Sequence, residues 1–286
     1  MPSLIDIRRR VRSVRNTQQI TKAMKMISAA KLRRAQERAV AARPYGAMLK
    51  QILANVAEAA SQSPDAGSNP LLAVRPEKKV LLLVVSADRG LAGAFNTNLL
   101  KLAQRFVLEN SDKELKFETI GRKARDYFRK RGATITGEYL DVMRQLSVDY
   151  ADKIAASVIE RFSSGEVDAV YLFVNEFKSA MASHLSQTRL LPIELPPTSA
   201  AVDYIYEQKP EELLGSLLPK YVKGQIYRAL LESVAAEHAA RMTAMEAASS
   251  NASDMIDKLT LYMNRVRQAS ITREIIEIVS GAAALD

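Results

Sequence analysis

The last 62 residues of the chain, Gln225 to Asp286, contain no proline and a single glycine, Gly281, so nothing obliges a helix there to stop. At 1.5 Å per residue such a helix would measure roughly 90 Å, about three times the diameter of a small domain. A core drawn from a chain of 286 residues cannot cover it. Uninterrupted periodic stretches beyond about 25 residues point to a coiled coil, a membrane span or a repeat. Glu237, Arg241, Asp254, Asp257, Lys258, Arg265, Arg267 and Arg273 interrupt this one throughout, which argues against a span. A coiled coil needs a second long strand, and the other terminus supplies it. Ser3 to Arg43 also lacks Pro and Gly, and it carries Leu4, Ile7, Val11, Val14, Met24 and Ile27, mostly three or four apart.

Charge is concentrated on that first helix. Residues 1 to 43 hold twelve Lys and Arg against Asp6 and Glu37, a net +10, so the rest of the chain carries −1 of the total of +9. The pattern suits a local acidic surface better than a partner wrapping the whole molecule; a solvated helix face is the plainer alternative. An Arg-rich start also imitates a transit peptide, but the apolar pattern runs on through Ile27 and Leu32 without a break. The absence of cysteine excludes disulfides and thiolate metal sites. His184 and His238 have no ligand spacing around them, so no metal site is expected.

Between the ends the character changes. Pro44 closes the first stretch, but Tyr45 to Ala60 is again periodic, so a helix can kink and resume there. Ser61 to Pro76 reads as a loop. Val80 to Val85 is a continuous aliphatic run, the signature of a strand buried on both faces. Further strands are predicted at Leu115 to Ile120, Thr134 to Tyr139, Ala169 to Val174 and His184 to Leu191, the last before the Pro192, Pro196, Pro197 cluster. Helices are predicted from about Ala94, over Arg122 to Arg131, and from an N-cap at Ser147 to about Ser163. Alternating strands and helices argue for an α/β domain.

Catalytic chemistry is hard to find. SADRGLAGAFN, from Ser86, follows a buried strand and opens a helix, where a phosphate could meet helix amides. It is neither GxGxxG nor a P-loop, and a tight turn of small residues for close packing is the better account. No GxSxG or other nucleophile and base arrangement is present. No cofactor is expected. In the last helix, Ala and Ser residues from Ala235 to Ser253 let a partner helix approach closely. Beyond them Met255, Leu259, Tyr262, Met263, Val266, Ile271, Ile275, Ile276, Ile278 and Val279 form a tip too apolar for a free helix end in water, so something must enclose it.

Three motifs carry a resemblance. Asn16 to Gln36 (NTQQITKAMKMISAAKLRRAQ), Asp88 to Asn96 (DRGLAGAFN) and Arg267 to Leu285 (RQASITREIIEIVSGAAAL) resemble the signatures of the gamma subunits of F-type ATP synthase, bacterial type, along nearly the whole chain. Tyr204 to Tyr221 and Glu237 to Ala252 are also similar to that family. Ala92 stands where many relatives have Cys, at a position no catalytic step needs, and the cysteine-bearing insert of the chloroplast form is absent.

The resemblance implies an antiparallel two-helix coiled coil made of the N- and C-terminal helices beside a Rossmann-like α/β domain. The division is residues 1–60, 77–210 and 211–286. It implies a non-catalytic central rotor shaft of a proton-translocating enzyme, peripheral to the membrane on the cytoplasmic face of a bacterial plasma membrane and without a span. The coiled coil would fill a hexamer of alpha and beta subunits, and the α/β domain would bind the epsilon subunit and the c ring. Partner contacts are implied for Arg267, Gln268 and Thr272, and for Met24 and Lys25 at about the same height on the opposing helix; the charge concentrated on the first helix suggests that Arg33, Arg34 and their neighbours face acidic loops of the beta subunits. Tyr204 and Glu207 would face the c ring, or form a plain edge strand. Two rivals lack motifs of their own: a basic coiled coil binding nucleic acid, which has no aromatic stacking platform, and an α/β enzyme, which fold analogy alone does not support.

Overall fold

A computed structural model describes residues 3–61, 69–144, 146–179, 183–195 and 208–283. Its elements are α1 (Leu4–Ser61), β1 (Lys79–Val85), α2 (Phe95–Glu109), β2 (Glu114–Ile120), α3 (Arg122–Arg129), β3 (Thr134–Tyr139), α4 (Val148–Ser163), β4 (Ala169–Phe177), β5 (Ser183–Leu191) and α5 (Pro210–Ala283). Two compact units result: residues 1–28 with 241–286, and residues 29–240. Both long helices contribute to both units.

The 29–240 unit is built on a five-stranded sheet in the order β3-β2-β1-β4-β5. All pairings are parallel except β4 with β5, which is antiparallel. The aliphatic run of β1 is explained by its two faces. Val80, Leu82 and Val84 meet Leu99, Phe106 and Phe117, with Ala124 and Phe128 of α3 completing that layer. Leu81, Leu83 and Val85 point the other way, into a core shared with Ile154, Val158 and Phe162 of α4, Leu53 and Val56 of α1, and Leu218 and Val222 of α5. Successive residues alternate between two buried faces, so each position from Val80 to Val85 meets a core and no polar residue is tolerated in the middle.

All five predicted strands are present, with β4 three residues longer than its aliphatic stretch. Asn175, Glu176 and Phe177 continue it because they pair with Leu185, His184 and Ser183 across the antiparallel edge. Ser147 is the N-cap residue of α4, yet its hydroxyl turns to Asp149 at 3.4 Å and makes no bond to the helix backbone. The predicted loop after Ser61 contains a 3-10 turn at Pro70–Leu72, capped by the Asn69 side chain at 3.0 Å; residues 62–68 lie outside the described residues.

Both long helices run through a proline. α1 passes Pro44 and α5 passes Pro219, so α5 begins fifteen residues before the proline-free stretch and reaches 74 residues. A proline inside a helix forfeits one backbone bond and crowds the carbonyl four residues back. Burial on both sides of each proline offsets that cost: Ala39 precedes and Leu49 and Leu53 follow Pro44, while Leu214, Leu218 and Val222 flank Pro219.

In the other unit, 1–28 with 241–286, two helical segments run antiparallel. Thr21 meets Ser249, and Lys25, four residues on, meets Glu246, three residues back. Buried and half-buried positions recur on α1 at 7, 11, 14, 18, 21, 25 and 28, and on α5 at 245, 249, 252, 256, 259, 263 and 266. Alternating steps of four and three are the heptad pattern of a coiled-coil seam. Thr21 and Ser28 occupy the seam, whereas Ile20, Met26 and Ile27 are exposed. The expected apolar face is therefore rotated at Ile27, because the four-three steps that bury Ile7 and Val11 arrive at Ser28.

Candidate partner-binding surface

The seam ends abruptly. Val266 is its last half-buried residue, and every residue from Arg267 to Gly281 is exposed. With Thr21 opposite Ser249, the register brings Leu4 level with about residue 266, so α1 has no residue left to cover the remainder of α5. The apolar residues of this end, Ile271, Ile275, Ile276, Ile278 and Val279, are between 48% and 72% exposed. Such a row on a single solvated helix is the mark of an interaction surface.

Arg267, Gln268 and Thr272 lie on this uncovered stretch, where the Thr272 hydroxyl donates to the Gln268 carbonyl at 2.9 Å. Met24 and Lys25 do not share their height. Lys25 is ion-paired with Glu246, and Arg267 lies 21 residues farther along α5, about 31 Å away. The expected level was wrong because sequence spacing fixes neither partner nor register; the buried Thr21 and Ser249 hydroxyls, 2.7 Å apart, mark the register instead. Gln18 adds a bond to the Ser249 carbonyl at 3.4 Å. Met24 is half-buried, and its carbonyl accepts from Ser28 at 2.8 Å. Arg33 and Arg34, on the 29–240 unit, are exposed, with Arg33 held 3.2 Å from Glu37. Tyr204 and Glu207 lie outside the described residues.

The turn between β1 and α2 is self-satisfied. Asp88 Oδ1 accepts from the Arg122 amide at 3.0 Å and the Asp141 amide at 3.3 Å, so its carboxylate occupies the positive start of α3. Ser86 Oγ accepts from the Ala124 amide at 2.8 Å, and Asn96 Oδ1 from the Ala87 amide at 2.9 Å. Gly121 is where the chain must be glycine: its φ is +89°, and a Cβ would fall 2.0 Å from the Ser86 carbonyl oxygen. Close packing in the turn comes from its alanines, since Ala87 and Ala92 bury against Phe95 and Ala236, while Gly90 has open space around it.

A buried ionic cluster was not foreseen from sequence. Glu118 on β2 is fully buried and accepts from Ser157 at 2.7 Å, Arg161 at 3.2 Å and Tyr139 at 3.2 Å. Burial pushes its carboxyl above the ordinary range, against the pull of Ser157 and Arg161. Burial, with the Glu118 carboxylate beside it, pushes the Tyr139 phenol up to about 12. Arg161 also reaches Glu166 at 2.7 Å and the Thr136 carbonyl at 3.3 Å, next to the register shift between β2 and β3. The cluster ties β2, β3 and α4 together. Among the described residues no group of acids and histidines has the makings of a metal site, and no helix is long and apolar enough to cross a membrane.

Comparison with known proteins agrees with this geometry. The family model described as ATP synthase matches residues 3–285. The ATP synthase gamma chain of Solibacter usitatus is 61% identical over the full length of both chains, and that of Pelotomaculum thermopropionicum is 50% identical, again over the whole of both. Among solved structures, a chain of the Euglena gracilis mitochondrial ATP synthase gives a TM-score of 0.68 at 19% identity, over 99% of this chain and 94% of that one. A chain of the Tetrahymena thermophila mitochondrial central stalk and c ring gives 0.64 at 24% identity, over 80% and 99%. These structures share the fold of one long helix at each end and an α/β sheet between, and nothing in the comparisons supports a nucleic-acid-binding coiled coil. The chain belongs to the ATP synthase gamma chain family.

Proposed function

We propose that this chain is the central rotor shaft of an F-type, proton-translocating ATP synthase, coupling c-ring rotation to the conformational cycle of catalytic beta subunits. The observation that carries the reading is the uncovered apolar end of α5. Fully burying one large aliphatic side chain is worth about 1.5–3 kcal/mol. A sleeve around five of them is therefore held firmly, yet without directional bonds, so the contact varies little with angle.

ATP chemistry belongs in this reading to the beta subunits, and the chain itself is non-catalytic. Alpha and beta subunits surround the terminal helices, while epsilon and the c ring bind the α/β part. The assembly places the chain peripherally on the cytoplasmic face of a bacterial plasma membrane. For this work the chain divides into shaft helices, 1–60 and 211–286, and a docking domain, 77–210. Arg267, Gln268 and Thr272 supply the few directional contacts to a beta-subunit loop. Met24 and Lys25 act farther from the tip, where the ion pair with Glu246 limits what Lys25 offers a partner. Exposed Arg33 and Arg34 face acidic loops of the beta subunits, and Tyr204 and Glu207 face the c ring.

Co-expression with alpha and beta subunits tests the reading. The full chain should yield a stable complex with ATPase-driven rotation, and a chain ending at Val266 should assemble but lose torque. A full chain that ignores alpha and beta, or a truncation that leaves torque intact, sinks it.

A further inference from the structure

A cleft of about 320 Å³ opens between α1 and α5 within the 29–240 unit. Arg43, Gly46 and Lys50 line it from α1, and Tyr221, Gly224 and Arg228 from α5. On each helix these residues are three, four or seven apart, so each helix presents one face. The cleft exists because two helix-interior positions carry no side chain. Glycine is among the costliest residues inside a helix, and the chain's own packing does not require it at either place. A Cβ on Gly46 would meet nothing within 4 Å, and one on Gly224 would only reach Leu49 Cδ2, at 3.8 Å. Space is thus kept open at the expense of helix propensity.

The walls are cationic. Arg43, Lys50 and Arg228 contribute three positive charges, and among the described residues no carboxylate lines the cleft. Arg228 shares its charge with Glu232 at 3.1 Å, whose side chain is 8% exposed. Backbone amides in mid-helix are already bonded, so recognition falls to side chains, a setting for carboxylates on Arg and Lys rather than for a phosphate nest.

We propose that this groove docks an extended acidic segment of a partner protein, its backbone over Gly46 and Gly224 and its carboxylates on Arg43, Lys50 and Arg228. Arg43 and Lys50 are about 10 Å apart along the helix. An extended segment of polyproline II type covers about 9 Å in three residues and returns to the same face every third one, so the favoured segment carries acids three positions apart. The groove would serve this role whether or not the chain acts as a shaft.

The test uses the full chain and a fluorescein-labelled Gly/Ser peptide bearing two glutamates three residues apart, against its two-glutamine counterpart, by anisotropy at low salt. The glutamate peptide should bind preferentially. Arg43→Glu with Lys50→Glu should weaken it by about tenfold or more, and Arg8→Glu with Arg9→Glu, which removes charge elsewhere, should not. Gly46→Leu should weaken it similarly while leaving Tm unchanged or raised, since the side chain enters open space. Equal binding of both peptides, loss that follows Arg8 and Arg9, undiminished binding by Gly46→Leu, or a lowered Tm in that variant overturns the proposal.

Discussion

The sheet unit and the paired terminal helices are made of the same kinds of residue and held by different means. Around β1 apolar side chains are buried on both faces of the sheet, and even an acid, Glu118, is enclosed with three partners. Along the terminal seam burial is one residue deep, part of it is hydroxyl and amide, and past Val266 it stops. Self-sufficient packing marks the region whose shape must persist alone. Unfinished packing marks the region that, in the reading proposed above, another chain completes.

The contrast can be broken most forcefully at Glu118. Glu118→Ala leaves the Ser157, Tyr139 and Arg161 donors without their shared buried acceptor, although Arg161 keeps Glu166, and at about 1–3 kcal/mol for each buried group left unpaired it should cost about 3–5 kcal/mol in urea unfolding followed by circular dichroism. Glu118→Gln keeps the shape and makes the sign of the titration visible. A carboxyl whose folded pKa is raised contributes stability that is full below the unfolded pKa and lost as pH rises through the raised value. Wild type should therefore lose stability as pH climbs from about 4.5, the ordinary carboxyl value, and the Gln variant should not show that loss. Next comes Leu82→Ala, a cavity between β1 and its helices, at about 2–5 kcal/mol by the same measurement.

Smaller effects belong to the other region. Thr21→Ala removes one partner of the buried hydroxyl pair and should cost about 1 kcal/mol, read locally by amide exchange on α5 near Ser249. Its coupling to Ser249→Ala in a double-mutant cycle should be measurable, since the two touch. Ile276→Ser should leave the isolated chain within about 0.5 kcal/mol of wild type, because the side chain is already 58% exposed. A large destabilisation there would mean that the end of α5 is closed within the chain itself, and the comparison would collapse.

Legibility in the sequence divides along the same line. The five strands are readable because burial on both faces forces aliphatic runs, as Val80 to Val85 illustrates. Uncapped helices are readable by the lack of Pro and Gly. Where tertiary burial outweighs a local penalty, the sequence misleads: Pro219 sits inside α5 with Leu218 fully buried beside it. Register is invisible for a different reason. Ile27 is more apolar than Ser28, yet Ser28 enters the seam, since heptad phase is a property of two helices together. Gly46 and Gly224 were visible as letters, but that they leave a cationic cleft open depends on their facing one another across residues far apart in the chain.

Asp88 has a wider consequence for how such a sheet lives among nucleotides. A phosphate approaching the start of α3 would meet a like charge already bonded to the Arg122 and Asp141 amides, and would have to evict it first. A covalently tethered carboxylate thus fills the place at the start of α3 that a free phosphate would take.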